Sequence, residues 1–443
     1  MSSVSPGLDG RPGASFAELG LPAALVARLA ERGIRQPLAI QAGTIADALA
    51  GRDVCGKAPT GSGKTLAFSL PVAARVSKSS PKRPRALVLA PTRELAAQIA
   101  EELSPLLAAR KMRAHPFYGG VGFGGQQHAL RKGIDVAVAC PGRLEDLLER
   151  GELRLDQVEV VVVDEADRMA DMGFLPAVRR ILDKTVNRRQ TLLFSATLDG
   201  EVEVLVRNYQ HDPVRHEVEV DQDDLARATH RFHAVDAADR AALCAELIGG
   251  TGASVVFVRT KHGAERVAKQ LDRVGVRAAA IHGDRSQAQR ERALSAFRDG
   301  KVQALVATDV AARGIHVDDV ACVIHFDLPE DSKTYVHRSG RTARAGASGT
   351  VIALVTPETR RAAASLQRSL SLDIEHVGDL APLPAERPAA RRPRPGGRPG
   401  SSSVAEGDGR RRNRPARPPQ HKTAAATRRQ GPRAGSRGGA TSR

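Results

Sequence analysis

Short apolar runs alternate with helical periods along most of this chain, in two successive sets. The first set holds Ala86–Ala90, Asp135–Ala139, Val158–Val163 and Thr191–Phe194. The second holds Ser254–Val258, Arg277–Ile281, Val302–Ala307, Cys322–Phe326 and Thr350–Val355. The runs are rich in β-branched residues and too short for helices, so they predict strands. Strand–helix alternation predicts parallel α/β sheets, buried on both faces. Between the sets, residues 214–229 are charged and lack an apolar period, which reads as a linker. The pattern predicts two α/β domains, 13–213 and 230–380, facing a cleft. Residues 1–12 are rich in Gly, Ser and Pro and are expected to be flexible. Residues 381–443, almost all Arg, Pro, Gly, Ser and Ala, are expected to form a disordered basic tail.

Charge sharpens that division. The chain of 443 residues carries a net +17, and +13 of it lies between Glu386 and Arg443, where 16 Lys or Arg meet three acids. Basicity of this kind points to a polyanion such as nucleic acid rather than a membrane, since the tail has no apolar anchor. The four cysteines, Cys55, Cys140, Cys244 and Cys322, are too far apart in sequence for a zinc or redox motif. They suit a reducing interior. No apolar run reaches membrane-spanning length, and a cytoplasmic location is the expectation.

Two motifs carry the chemistry. Val160-Val-Val-Val163 runs straight into Asp164-Glu165-Ala166-Asp167. Carboxylates at the end of a buried strand need a cation or donors, because unpaired buried charge is costly. About a hundred residues upstream, Ala58-Pro-Thr60-Gly61-Ser62-Gly63-Lys64-Thr65 follows a short strand and opens a helical stretch. That is the context of a phosphate-binding loop, although Ala58 stands where the strict pattern has Gly. Gly61 and Gly63 let backbone N–H groups turn toward phosphates, and Lys64 adds a point charge. Thr65 and Asp164 are placed to hold Mg²⁺, and Glu165 to serve as general base for a water. Together they predict a nucleotide hydrolase. In the second set, His337, Arg341 and Arg344 fall on one face if the segment is helical, at offsets of four and three. Two guanidinium groups there could reach a triphosphate held by the first domain.

With these motifs in order, the chain resembles the DEAD-box RNA helicases from about Phe16 to Thr356. Gly33-Ile-Arg-Gln-Pro37-Leu-Ala-Ile-Gln41 is similar to that family's Q motif, and Phe16 lies where the family has an adenine-stacking aromatic. Pro91-Thr-Arg-Glu-Leu-Ala96, Gly119-Gly120, Pro141-Gly-Arg143 and Ser195-Ala-Thr197 match in turn, as do Val256-Phe-Val-Arg-Thr260, His282-Gly-Asp-Arg-Ser-Gln287 and Ala307-Thr-Asp-Val-Ala-Ala-Arg-Gly314. The resemblance implies two tandem RecA-like domains, ATP and Mg²⁺ as cofactors, and RNA as partner. It implies that Phe16, Gln41, Thr60, Gly61, Ser62, Gly63, Lys64, Thr65, Asp164, Glu165, Gly314 and His316 bind the nucleotide, with Gln41 reading the adenine edge. It makes Arg341 and Arg344 arginine fingers. Asp167, Ser195, Thr197 and His337 would couple nucleotide to RNA. Pro91, Thr92, Arg93, Gly120, Pro141, Gly142, Arg143, Thr260 and Thr308 would hold the RNA backbone. Small residues, backbone N–H groups and Arg suit phosphates and 2′-hydroxyls, so binding is expected to be sequence-independent.

The implied activity is an RNA-stimulated ATPase that unwinds or remodels short duplexes by closing two domains. A DNA translocase on the same fold and an ATP-gated RNA clamp are the alternatives. Ribosomal precursors and RNA-decay assemblies are the partners implied by bacterial members. Three positions depart from the family: Leu38 stands where Thr or Ser is usual, Cys140 replaces a Thr, and His316 replaces an Asp expected at the ribose. Met169, Met172 and His282 read as packing or structural residues.

Overall fold

The computed structural model describes residues 14–59, 61–186, 188–218, 228–312, 320–343, 349–370 and 372–378. Both flanking segments, the N-terminal one through residue 13 and the basic one from residue 379, lie outside these residues.

The first lobe holds strands β1 (Val54–Lys57), β2 (Ala86–Leu89), β3 (Ala114–Phe117), β4 (Val136–Ala139), β5 (Val160–Val163), β6 (Gln190–Ser195) and β7 (Val214–Glu217). Its helices are α1 (Ala23–Glu31), α2 (Ala39–Leu49), α3 (Lys64–Arg75), α4 (Arg93–Ala108), α5 (Phe123–Lys132), α6 (Pro141–Glu149), α7 (Ala166–Asp171), α8 (Leu175–Leu182) and α9 (Gly200–Tyr209). The second lobe holds β8 (Ala228–Ala234), β9 (Ser254–Val258), β10 (Ala278–Ile281), β11 (Ala304–Thr308), β12 (Cys322–His325), β13 (Gly349–Val355) and β14 (Ile374–Val377). Its helices are α10 (Arg240–Thr251), α11 (Lys261–Arg273), α12 (Gln287–Arg298), α13 (Asp309–Ala312), α14 (Ser332–Ser339) and α15 (Arg360–Leu370).

All strand pairings within the two sheets are parallel, and the two sheets have the same topology. The first is ordered β3-β4-β2-β5-β6-β1-β7, and the second β10-β11-β9-β12-β13-β8-β14. Each strand of the second sheet therefore repeats its counterpart seven strands earlier. The described residues form two tandem RecA-like domains.

Strand composition follows from burial on both faces. In β5, Val160 and Val162 join the core on one face, with Phe68, Ile99 and Leu103. Val161 and Val163 join the other, with Leu144, Val178 and Ile181. Successive side chains point to opposite faces, so a strand covered on both sides has to be apolar at every position. In β9, Val255 and Phe257 likewise face one core and Val256 and Val258 the other.

The strands without an apolar run sit where that demand relaxes. Edge strand β3 reads Ala-His-Pro-Phe, and a Pro is tolerated at an edge because one side of the strand needs no ladder bond. The segment read as a linker from Val214 opens with edge strand β7, Val-Arg-His-Glu, in register with β1. Residues 219–227 lie outside the described residues, and β8 begins at Ala228, also inside the expected linker. In β8 a buried alternation, Ala228, His230 and Phe232, is masked by polarity: His230 is 3% exposed and its Nδ1 lies 2.8 Å from Tyr335 Oη.

Candidate functional site

The phosphate-loop segment joins β1 to α3, as the sequence predicts. Gly61 and Gly63 both have φ of 88°, a left-handed conformation that favours glycine. At Gly63 there is also no room: a Cβ would lie 2.4 Å from Gln41 Nε2 and 2.7 Å from Leu38 Cδ1. Gln41 braces this turn. Its Nε2 donates to Gly63 O at 3.0 Å, and its Oε1 accepts from Leu38 N at 2.9 Å. Leu38 has no polar side-chain group to cap α2, so Gln41 alone supplies the side-chain bond at that turn. Lys64 is 7% exposed and donates from Nζ to Ala58 O at 2.7 Å and Pro59 O at 2.8 Å. Ser62 Oγ donates to Pro59 O at 2.8 Å. Phe16 packs at 2% exposure into the core that includes Leu19, Leu25 and Leu29. Its ring thus presents no open face in this arrangement. Thr60 lies outside the described residues.

Asp164 directly follows β5 at 2% exposure, and its Oδ1 accepts from Glu165 N at 3.0 Å. Glu165 has φ 51° and ψ 52°. A non-glycine residue in that region carries strain of order 1 kcal/mol, a cost that recurs at functional sites. Arg168 Nε stands 4.0 Å from Glu165 Oε2, with both side chains largely buried. Gly61, Gly63, Lys64, Thr65, Asp164 and Glu165 line one cleft of about 530 Å³. Ser195, fully buried at the end of β6, ties the two motifs together. Its carbonyl accepts from Ala58 N at 3.0 Å, and its Oγ accepts from Asp167 N at 3.1 Å. The contact between Ser195 and Asp167 is thus made by the Asp167 backbone. Thr197 follows two residues on, partly exposed.

Residues of the second lobe complete the site. A cavity of about 210 Å³ is lined by Lys64, Glu165 and Asp167 from the first lobe and by Asp331, His337 and Arg341 from the second. The helical face expected to carry His337 and Arg341 together is not formed. Helix α14 ends at Ser339 with Gly340 as its C-cap, and Arg341 sits in the following turn, its N–H donating to Arg338 O at 3.2 Å. Glycine ends the helix because it lacks helical propensity. Arg341 still reaches the cavity, 6% exposed. Arg344, Gly314 and His316 lie outside the described residues.

Arg338, which its sequence context does not single out, holds this corner. It is 4% exposed and makes a bidentate pair with Asp309, Nε to Oδ1 at 2.6 Å and Nη2 to Oδ2 at 2.7 Å, while Nη1 donates to Asp327 O at 2.7 Å. Behind it, His325 stacks on Tyr335, with ring centroids 4.6 Å apart and planes at 9°. Full burial, with Arg338 and His230 adding like charge, holds the His325 imidazole well below its ordinary pKa.

The residues expected at RNA sit at the carboxyl ends of both sheets, where α/β folds bind ligands. Thr92 caps α4, its Oγ1 accepting from Leu95 N at 3.3 Å. Thr260 caps α11 in the same way, accepting from Gly263 N at 3.0 Å. The duplicated topology makes them counterparts, after β2 and β9. Thr308 ends β11 at 7% exposure. Pro91 is buried, and Arg93 lies over Gly120, where a Cβ would meet its guanidinium. Pro141 and Gly142 open α6, Gly142 exposed, and the N-cap Cys140 makes no side-chain cap bond where Thr could. Arg143 is spoken for internally. It donates to Gln126 Oε1 at 3.1 Å and Val121 O at 3.0 Å, and stacks over Phe123. In this arrangement it shapes the loop after Gly120. Glu94 and Arg290, which the sequence did not single out, form a buried ion pair between the lobes at 2.7 Å. Glu94 follows Arg93 in the first turn of α4, in line with Gln98 and Glu101, so its sequence position reads as a solvated face and gave no signal of burial.

The chain matches the family model for DEAD/DEAH box helicases over residues 38–205 and that for the helicase conserved C-terminal domain over residues 238–346. It is 42% identical over 375 residues to "DEAD-box ATP-dependent RNA helicase 3A, chloroplastic" of Zea mays, covering 82% of this chain and 50% of that protein. It is 40% identical to "DEAD-box ATP-dependent RNA helicase 9, mitochondrial" of Arabidopsis thaliana, covering 91% and 65%. The chain thus spans between half and two thirds of the length of these relatives. The solved structure of S. cerevisiae Dbp5 bound to RNA and ADP BeF3 superposes with a TM-score of 0.73 at 29% identity, covering 82% of this chain and 95% of that one. No described helix is long and apolar enough to cross a membrane.

Proposed function

Since this chain belongs to the DEAD/DEAH box helicase family, we propose that it is an RNA-stimulated ATPase that remodels short RNA duplexes by closing its two lobes on ATP and RNA. The observation that carries the proposal is the cavity shared by Lys64 and Glu165 of one lobe and Arg341 of the other. Neither lobe alone supplies phosphate charge, general base and finger.

On this reading ATP enters against Gly61 and Gly63, and the Lys64 ammonium exchanges the Ala58 and Pro59 carbonyls for phosphate oxygens. Gln41 keeps the turn at Gly63 in shape and presents its amide beside the adenine. Mg²⁺ suits the site, because that ion keeps several waters and asks for one or two carboxylates rather than a cage. Asp164 and Thr65, on the walls of one cleft, would hold it, and its charge would offset that of the phosphates. Glu165 accepts the proton of the attacking water. Arg341 stabilises charge as it develops on the transferred phosphoryl group. Asp167, held to Ser195, passes the state of the nucleotide to β6 and its loop, including Thr197.

RNA lies across the strand ends of both lobes, on Thr92, Arg93, Gly120 and Gly142 in one and Thr260 and Thr308 in the other. These are backbone-directed contacts. Because they come from both lobes, RNA favours closure, and closure completes the ATP site. The experiment is ATP turnover by the full chain with single-stranded RNA, single-stranded DNA of the same sequence, or neither, alongside strand separation of a short RNA duplex. Stimulation by RNA with ATP-dependent strand separation is expected. Equal stimulation by DNA would indicate a DNA translocase, and ATP-dependent RNA retention without strand release an ATP-gated clamp.

A further inference from the structure

Four strands end the two sheets among the described residues: β3 and β7 in the first lobe, β10 and β14 in the second. An exposed strand edge invites pairing with another chain, and proteins blunt such edges with proline or charge. Three of the four are blunted. Strand β3 carries Pro116, which has no N–H. Strand β7 reads Val-Arg-His-Glu, with Arg215 ion-paired to Glu203 and Glu217 to Lys57. Strand β14 reads Ile-Glu-His-Val, with Glu375 paired to Arg231 at 2.7 Å. The fourth, β10, reads Ala-Ala-Ala-Ile and has neither device.

The edge of β10 opens into a groove of about 430 Å³ between α11 and α12. The two helices cover opposite faces of the sheet, Val267 and Leu271 packing with Ala280, and Leu294 and Phe297 packing with Ile281. The groove therefore lies along the strand edge itself. Gln303 N donates to Arg277 O at 2.8 Å, so Arg277 bonds toward β11. Alternation then turns the backbone groups of Ala278 and Ala280 outward into the groove. Ala278 N–H is taken by Asp272 Oδ1 at 2.9 Å, which leaves both carbonyls and Ala280 N–H facing it. Alanine side chains leave space beside that edge.

The charges in the groove are unbalanced in effect. Glu265 is ion-paired with Arg285 at 2.7 Å and hydrogen-bonded to His282 at 2.6 Å, while Asp272 keeps its charge, its Oδ1 accepting from Ala278 N, so that one acid stands against two cations. Lys269, on the α11 side, and Arg292, on the α12 side, are exposed and form no ion pair among the described residues. We propose that β10 is a docking edge for an extended acidic segment of a partner protein, which adds a strand beside Ala278–Ile281 and places one carboxylate on Lys269 and the next on Arg292. Adjacent residues of a strand point to opposite faces, so two consecutive acids meet the two cations. Strand addition supplies affinity through the backbone, and the cations supply selectivity.

The test uses the full chain and a fluorescein-labelled synthetic octapeptide, Thr-Val-Glu-Asp-Val-Thr-Val-Thr, read by anisotropy. A second peptide has the same charge but N-methyl groups on alternate amides, which abolish strand pairing. Saturable binding is expected, weakened about tenfold or more both by N-methylation and by the paired substitution Lys269→Glu with Arg292→Glu. RNA-stimulated ATP turnover should be unchanged in that variant, which also shows that it folds. Equal binding of the N-methylated peptide, or undiminished binding by the variant, would place the interaction on general positive charge and overturn the proposal. So would absence of binding, or displacement of the peptide by a uridine oligomer, which would make the groove a nucleic-acid site.

Discussion

Arg290 of the second lobe meets Glu94 of the first at 2.7 Å, with 11% and 4% of their side chains exposed. The contact is an ion pair whose angles fall outside hydrogen-bond geometry. Glu94 follows Thr92 by two residues, and Arg290 Nη2 also reaches Ala311 O, at 3.5 Å, beyond the end of β11. The pair therefore joins the segments proposed to hold RNA in the two lobes.

Removing one partner leaves the other charge buried without compensation. Arg290→Ala should therefore lower RNA-stimulated turnover about tenfold, with a smaller change in RNA-free ATP affinity, because the loss falls on the closed state. A double-mutant cycle with Glu94→Gln on RNA-stimulated kcat/KM should give a coupling of about 1–3 kcal/mol. Additive effects would mean the two residues act separately.

Glu165 is the carboxylate in reach of both cavities at the acidic motif, held in a left-handed backbone conformation at the cost of strain. Glu165→Gln keeps the shape and removes the base. Turnover should fall by roughly 10²–10⁴-fold while ATP and RNA binding persist. Nucleotide affinity measured alongside turnover separates this result from misfolding. Turnover near the wild-type rate would assign the base elsewhere.

Arg338 supports the site without lining it. Arg338→Lys cannot reproduce the bidentate pair with Asp309 together with the bond to Asp327 O. The second lobe should lose about 2–3 kcal/mol, less than a fully buried pair because Asp309 is 27% exposed. Denaturant unfolding of the full chain, read for the less stable transition, measures it. An unshifted midpoint would remove Arg338 from the framework of the site.

The contrast between Arg338 and Arg341 shows what was legible in the sequence. Motif order identified the segment, and the apolar runs identified the central strands such as β5 and β9, where burial on both faces dictates every residue. What failed depended on local geometry. A helical period drawn through His337, Arg341 and Arg344 ignored Gly340, which ends the helix and puts Arg341 on a turn. Residue type gave no means of telling the buried arginine from the cleft arginine. Edge strands β3, β7 and β14 were hidden by Pro and charge for the reason that protects them from aggregation. Arg143 and Gln41 were expected at ligands, and here their hydrogen bonds go to Val121 and Gln126 and to Leu38 and Gly63; all of these but Leu38 are distant in sequence, and Leu38 offers only its backbone N–H, which residue type does not reveal.

His325 sets a pH dependence for the second lobe. Burial, then Arg338 and His230, hold its folded pKa below that of an unfolded histidine, near 6.5. Well above that value neither state binds the proton there, and the full stability is present. As pH falls below that value the unfolded chain binds a proton that folded His325 refuses, and stability drops by up to about 1.4 kcal/mol per pH unit. His325→Phe keeps an aromatic ring against Tyr335 and should flatten this part of the acid slope. Denaturation midpoints at pH 7.5, 6.5 and 5.5 compare the two chains. Parallel slopes would show that other groups govern acid stability.

On the proposed function, Arg341 acts on phosphates held by Lys64 in the other lobe. The most direct measurement is ATP turnover by Arg341→Ala and wild-type full chains at saturating RNA, with ATP affinity determined on the same proteins without RNA. RNA-stimulated turnover should fall by about 10³-fold or more, the scale of a lost arginine finger, while RNA-free ATP affinity changes by no more than about threefold. Undiminished RNA-stimulated turnover, or an ATP affinity lost in proportion to turnover, would contradict a site completed across the cleft.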